Sequence, residues 1–168
     1  MRKLAQTATA PQPSRPTGVT FACAASAMPV AICTAHAYLL IGCDVTHIDA
    51  DKVAAALAGG GRGIVGPLVS RKDYTVSGIR RTEPGQVEVH ACETDIFYVT
   101  EGEATFVTGG TVVGGKQTAP GQIRGKDISG GQTMTLKKGD VVTIPAGTPH
   151  WFKTVSPSVS YLTVKVIK

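Results

Sequence analysis

The chain has 168 residues, of which 42% are hydrophobic, 17% charged and 5% aromatic, with 20 Gly and 10 Pro. That length holds one core and excludes two independent domains, because each half would bury too little surface to offset its chain entropy. The apolar share excludes a disordered chain, and the density of Gly and Pro excludes a helical bundle. The formal net charge of +5 is weighted to the start: Arg2, Lys3 and Arg15 precede the first acid, Asp44, and from that residue onward 14 cations face 12 acids. Without a basic cluster or interleaved aromatics, that balance gives no reason to expect a nucleic-acid partner.

Residues 1–43 read as a leader. Basic residues come first, no charge occurs from Pro16 to Cys43, and the most apolar part ends in the small residue Gly42 before Cys43. A positive start, an apolar run and a small-residue exit are the ordered parts of a secretory signal. Leu40-Ile-Gly-Cys43 also resembles the lipobox of bacterial lipoproteins, so export to the periplasm or lipid anchoring is expected, with membrane contact only through the leader or its lipid. A tethering helix, a packed N-terminal arm and initiation at Met28 remain alternatives. Cys23, Cys33 and Cys43 fall in the leader, which leaves Cys92 as the thiol of a mature chain and gives no disulfide framework.

Residues 44–73 read as an arm with a short peripheral helix over 49–57, acidic at its start and stopped by Gly59-Gly-Gly61. Residues 74–168 read as the barrel. Short β-branched or aromatic runs at 74–80, 86–90, 96–100, 104–108, 133–136, 140–144 and 159–167 are separated by turn residues, the pattern of an all-β sandwich or barrel. The Gly-rich excursion between Thr108 and Thr133 reads as a functional or mobile loop.

Within these strands the candidate chemistry is of the metal-ligating kind. Glu88 and His90 are two apart on an expected strand and so share one face. Asp95 follows a turn, and His150 follows Pro145-Ala-Gly-Thr-Pro149 far along the chain. Two imidazoles and two carboxylates from separate strand edges suit a divalent ion held by rigid sheet. Glu93 competes with Asp95 for the fourth place.

The segment from Tyr74 to Ile167 resembles the cupin superfamily, whose barrels carry two motifs. Gly139, Pro145, Gly147 and His150 match the second with its spacing intact, while Thr154 stands where Asn is usual. In the first, Gly102 closes the motif, Asp95 takes the Glu position, His90 the second His and Glu88 the first, while Thr82 replaces the leading Gly. The resemblance implies a cupin-type jelly-roll β-barrel, or double-stranded β-helix, with a metal inside.

A site of Glu88, His90, Asp95 and His150 would take Mn, Fe, Ni or Zn as a divalent ion, and its two carboxylates favour the harder ions while disfavouring an anionic substrate. Cys92, Phe97, Phe106 and Phe152 are the candidates to wall a pocket beside it. The expected activity is that of a small-molecule oxygenase, isomerase or lyase, among which fold resemblance does not choose. The alternative is a non-catalytic ligand-binding or structural module with a degenerate site. Small cupin barrels commonly pair, so a homodimer is the expected assembly.

Overall fold

Through most of residues 74–167, β-branched and aromatic side chains alternate with polar ones, and these alternations lie in strands. The computed structural model describes residues 45–58 and 62–168, with the backbone alone for 62–66. The expected leader, residues 1–43, lies outside the described residues. In chain order the elements are α1 (Ala50–Ala58), β1 (Arg62–Ser70), β2 (Tyr74–Arg81), β3 (Val87–His90), β4 (Glu93–Thr108), β5 (Thr111–Val113), β6 (Lys116–Ala119), β7 (Gln122–Gly125), β8 (Asp127–Ser129), β9 (Gln132–Lys137), β10 (Val141–Ile144) and β11 (His150–Ile167).

Two long strands build the architecture. β4 and β11 pair antiparallel along almost their whole length, from His150 opposite Thr108 to Ile167 opposite Glu93, with register shifts between Phe152 and Thr154, between Val155 and Val159, and between Ser160 and Tyr161. Such irregularities bend both strands, so each contributes to two layers. One layer runs β1, β2, the C-terminal half of β11, the N-terminal half of β4, then β10. The other runs β6, β7, β3, the start of β11, the C-terminal half of β4, then β9. Between the layers lie Ile79, Phe97, Val99, Phe106, Leu136, Ile144, Phe152, Val159 and Tyr161, all buried. This all-β jelly roll, with one short helix outside it, is the expected fold.

The helix starts as expected. Asp49 caps it, its carboxylate accepting from the Lys52 amide at 2.9 Å. Ala56 packs against Gly78 of β2, where a Cβ would come within 2.8 Å of the alanine methyl.

Three features differ from the sequence reading. β1 is a full strand paired with β2. The runs at 96–100 and 104–108 belong to one strand, because Glu101-Gly102 is a bend and not a hairpin turn. The excursion after Thr108 is mostly ordered pairing: β7 extends the sheet beside β3, β5 pairs β8, and Ile128 is buried with Val87 and Val107. Its many glycines serve close turns and tight packing, which sequence alone reads as a loop.

Gly102 sits at the β4 bend with φ +73°, and a Cβ there would collide with the Ser158 carbonyl oxygen of β11. Gly102→Ala should therefore destabilise the fold by about 2–3 kcal/mol, read as a lower urea midpoint with an unchanged slope. An unchanged midpoint would show that the bend does not need glycine.

Candidate metal centre

Strand parity and one turn bring the candidate ligands together. Glu88 and His90 point to the inner face of β3, and His150, at the start of β11, stands opposite Glu88 in register. Asp95 enters from β4 and is 2% exposed. The turn that delivers His150 is tied to the other imidazole's backbone: Gly147, at φ +79°, donates its amide to the His90 carbonyl at 2.7 Å. That positive φ explains the glycine of the Pro-x-Gly motif.

The four groups converge. His90 Nε2 lies 3.4 Å from Glu88 Oε2 and 3.5 Å from Asp95 Oδ2. His150 Nε2 lies 3.5 Å from the same Asp95 oxygen and 3.8 Å from the same Glu88 oxygen. Donors held about 2.1 Å from one ion in a tetrahedron stand about 3.4 Å apart, which these imidazole–carboxylate separations approach; Glu88, His90 and His150 form one group whose ligand atoms lie within 4.8 Å of one another, and His90, Glu93 and Asp95 form a second.

The outer hydrogen bonds fix which ring nitrogens face inward. His150 Nδ1 donates to the Thr148 carbonyl at 3.1 Å. His90 Nδ1 donates to Gln122 Oε1, and the Gln122 amide is oriented in turn by donating from Nε2 to Glu93 Oε1 at 3.0 Å. With each Nδ1 carrying the proton, a neutral ring presents its Nε2 lone pair inward. Both Nε2 atoms are buried without a hydrogen-bond partner. Two lone pairs facing two carboxylate oxygens at one point lack a positive charge between them, and the donor set fits a divalent cation of intermediate hardness.

Ionisation follows from the same packing. Burial pushes the Glu88 carboxyl up, but His90 beside it and the Arg124 guanidinium prevail and hold it down at about 2. Burial lowers His150 against the pull of the Thr148 carbonyl, Asp95 and Glu88. For His90 burial also opposes the proton, yet Glu88 and Asp95 prevail over Lys165, and its pKa is raised.

Glu93 and Asp95 both stand beside His90, in one group whose ligand atoms lie within 4.8 Å of one another. Asp95 Oδ2 faces both inward nitrogens, whereas Glu93 lies 3.7 Å from the outer nitrogen of His90 and bonds Gln122 and Lys165. Phe97 and Phe152 line the cavity of about 180 Å³ in front of the cluster. Two expected pocket residues do not. Phe106 is wholly buried behind them, its ring 4.9 Å from Phe152 and deeper in the same core. Cys92 lies past the end of β3 among Ala91, Glu93, Pro120, Gly121, Gln122 and Ile167, away from the cavity.

Sequence reasoning missed the cations. Lys165 lies opposite Asp95 in register and bonds its Oδ1 at 2.7 Å, while Arg124 stands 3.8 Å from Glu88 and Arg81 lines the same cavity. The expectation that anions are disfavoured counts only the ligand carboxylates; these three cations stand against Glu88, Glu93 and Asp95. Strand parity could have placed Arg81 and Lys165 inward only once the register was known.

Gln122→Leu should weaken binding of Mn²⁺ by about tenfold or more by freeing the His90 ring, as read by calorimetric titration; an unchanged affinity would remove Gln122 from the orienting shell. In the metal-free protein, the stabilisation carried by Glu88 is complete above its ordinary value of 4.5 and lost as pH falls toward 2. Glu88→Gln should flatten the pH dependence of the urea midpoint in that interval, and a slope identical to the parent's would contradict the assignment.

Comparison with known proteins bears on the fold and the family. No curated protein matches the chain. A solved structure of BH2720 from Bacillus halodurans superposes with a TM-score of 0.52 at 14% identity, covering 76% of this chain and 85% of that one. A protein with a double-stranded β-helix domain from Klebsiella pneumoniae gives 0.49 at 16% identity, covering 74% and 91%. The family model described as Cupin matches residues 71–166, more than half of the chain, and the protein belongs to that family.

Proposed function

We propose that the protein is a divalent-metal enzyme acting on a small, oxygen-bearing molecule, of the oxygenase, isomerase or lyase type. The observation that carries this reading is the buried, unpartnered pair of His90 and His150 Nε2 atoms, which face the same two carboxylate oxygens at the end of a cavity. His90, His150, Asp95 and Glu88 would hold the ion. Mn²⁺ or Fe²⁺ suits the two carboxylates, and such an ion supplies Lewis acidity toward a bound hydroxyl, carbonyl or water.

The protein's own groups divide the remaining work. Lys165 engages one oxygen of Asp95 and leaves Oδ2 for the centre. Glu88 is the most exposed of the four, at 25%, and it stays ionised at neutral pH, so it is the group placed to accept a proton from a ligand in the cavity. Phe97, Phe152 and Trp151 line the cavity and limit water there. Export, by way of the leader, is part of the proposal and rests on the sequence alone; a mature chain beginning at Cys43, seen by mass spectrometry of the exported protein, would support it, and an intact leader would contradict it.

One observation favours a second reading. Lys165 already neutralises Asp95 at 2.7 Å, which a metal-free binding module would also require. Metal analysis of the purified protein separates the two. The enzyme reading predicts about one Mn²⁺ or Fe²⁺ per chain and loss of that ion in His150→Ala; a metal-free protein that gains none on dialysis against Mn²⁺ or Fe²⁺ would support the binding module.

A further inference from the structure

We infer that the ligand of this cavity is a small carboxylate anion, seated on the guanidinium of Arg81 with a second oxygen reaching the His90, His150, Asp95 and Glu88 centre. The inference rests on the metal-centre reading above. Three cations line the cavity, and two of them are already engaged. Lys165 bonds Asp95 and Glu93, at 2.7 and 3.1 Å. Arg124 leans on Glu88 at 3.8 Å and on a neighbouring backbone carbonyl at 3.5 Å.

Arg81 is placed differently. Among the described residues no carboxylate lies within ion-pair distance of it, yet its position is fixed on three sides. Its Nε donates to the hydroxyl of buried Tyr161 at 2.9 Å, and its guanidinium carbon lies 5.0 Å from the centre of the Phe152 ring. Gly85 flanks the Nη1 end, where a Cβ would stand 3.2 Å away. Gly85 is itself held by the Phe152 carbonyl, which accepts from its amide at 2.9 Å, and by the Trp151 indole, which donates to its carbonyl at 2.8 Å. With Nε engaged, both Nη groups are left without a hydrogen-bond acceptor among the described residues. They form a pre-oriented pair of charged donors matching the two oxygens of a carboxylate.

A second observation points to the same ligand chemistry. Thr163, 4% exposed, lines this cavity, and its Oγ1 has no hydrogen-bond partner. A buried hydroxyl in that condition is free to bond a water or an oxygen-bearing ligand in the cavity. The charges agree: Arg81, Arg124 and Lys165 offset Glu88, Asp95 and Glu93, so a divalent ion would leave the site positive toward an anion. Its volume of about 180 Å³ is below the roughly 300–1,000 Å³ of drug-sized pockets, which selects a ligand of few atoms.

The test uses glycolate, a carboxylate with one hydroxyl, and glycolamide, its uncharged isostere, titrated calorimetrically into the Mn²⁺-loaded full chain. Glycolate should bind about tenfold or more tightly than glycolamide. Arg81→Gln should erase that preference without weakening Mn²⁺ binding. Arg80→Gln, which removes the same charge from the opposite face of β2, should keep it. Should Arg81→Gln not fold, Arg81→Lys, which keeps the charge but loses the fork, should lower glycolate affinity at least about threefold. Equal binding of the two probes, binding of neither, a preference that survives Arg81→Gln, or an unchanged affinity in Arg81→Lys overturns the inference. If the parent chain takes up no Mn²⁺, the metal-centre reading fails by itself. The anion site is then read in the metal-free protein at fixed ionic strength, where glycolate must raise Tm above glycolamide in the parent but not in Arg81→Gln; equal shifts overturn it.

Discussion

The approach of the Glu88 and Asp95 carboxylates to the inward nitrogens of His90 and His150 is the constraint from which the rest of the site follows. Two ring nitrogens stripped of protons and two carboxylate oxygens would repel one another in a medium that screens poorly. A folded chain keeps such a set only if something positive resolves it. Here the outer shell commits each ring to the inward-facing lone pair: the Thr148 carbonyl does this for His150, and the Gln122 amide, itself oriented by Glu93, does it for His90. Burial lowers the pKa of His150, whereas Glu88 and Asp95 raise that of His90, so the two rings share the resolving charge unequally until a cation is bound. A cation in the centre satisfies all four groups at once.

The jelly roll supplies the rigidity this convergence needs. The ligands come from β3, β4 and β11, and the pairing of β4 with β11 runs through both layers, so shifting any one of them means breaking extended ladders. Gly147 adds a direct tie, since its amide bonds the carbonyl of His90 and locks the turn before His150 onto the partner histidine. Behind the site, Tyr161 stacks with Phe152 at 5.0 Å and Phe97 packs edge-on to Phe106, forming an apolar floor. Against that floor Arg81 is held by a hydroxyl and a ring face where it lines the cavity.

Much of this was legible in the sequence for specific reasons. Period-two alternation puts Glu88 and His90 on one face whatever the fold, and the spacing from Gly139 to His150 marks a turn whose geometry demands glycine. What escaped depends on register and on bends. Gly102 looks like the tip of a hairpin, but it is the kink of a single strand. Gln122 sits in a Gly-rich stretch that reads as a loop, and only its pairing opposite His90 makes it an orienting group. Lys165 belongs to an ordinary alternating run, and nothing local says that it will stand beside Asp95. Parity alone cannot separate Phe106 from Phe97 and Phe152 either, because all three face inward and only depth decides which one meets the cavity.

The most direct check of the central claim is the X-ray absorption spectrum of the purified protein loaded with one equivalent of Mn²⁺. Coordination by two imidazoles together with carboxylate oxygens, at about 2.0–2.2 Å, is the result the convergent acceptors require. A spectrum showing oxygen ligands alone, with no imidazole scattering, would mean that His90 and His150 do not meet at an ion and would contradict the account.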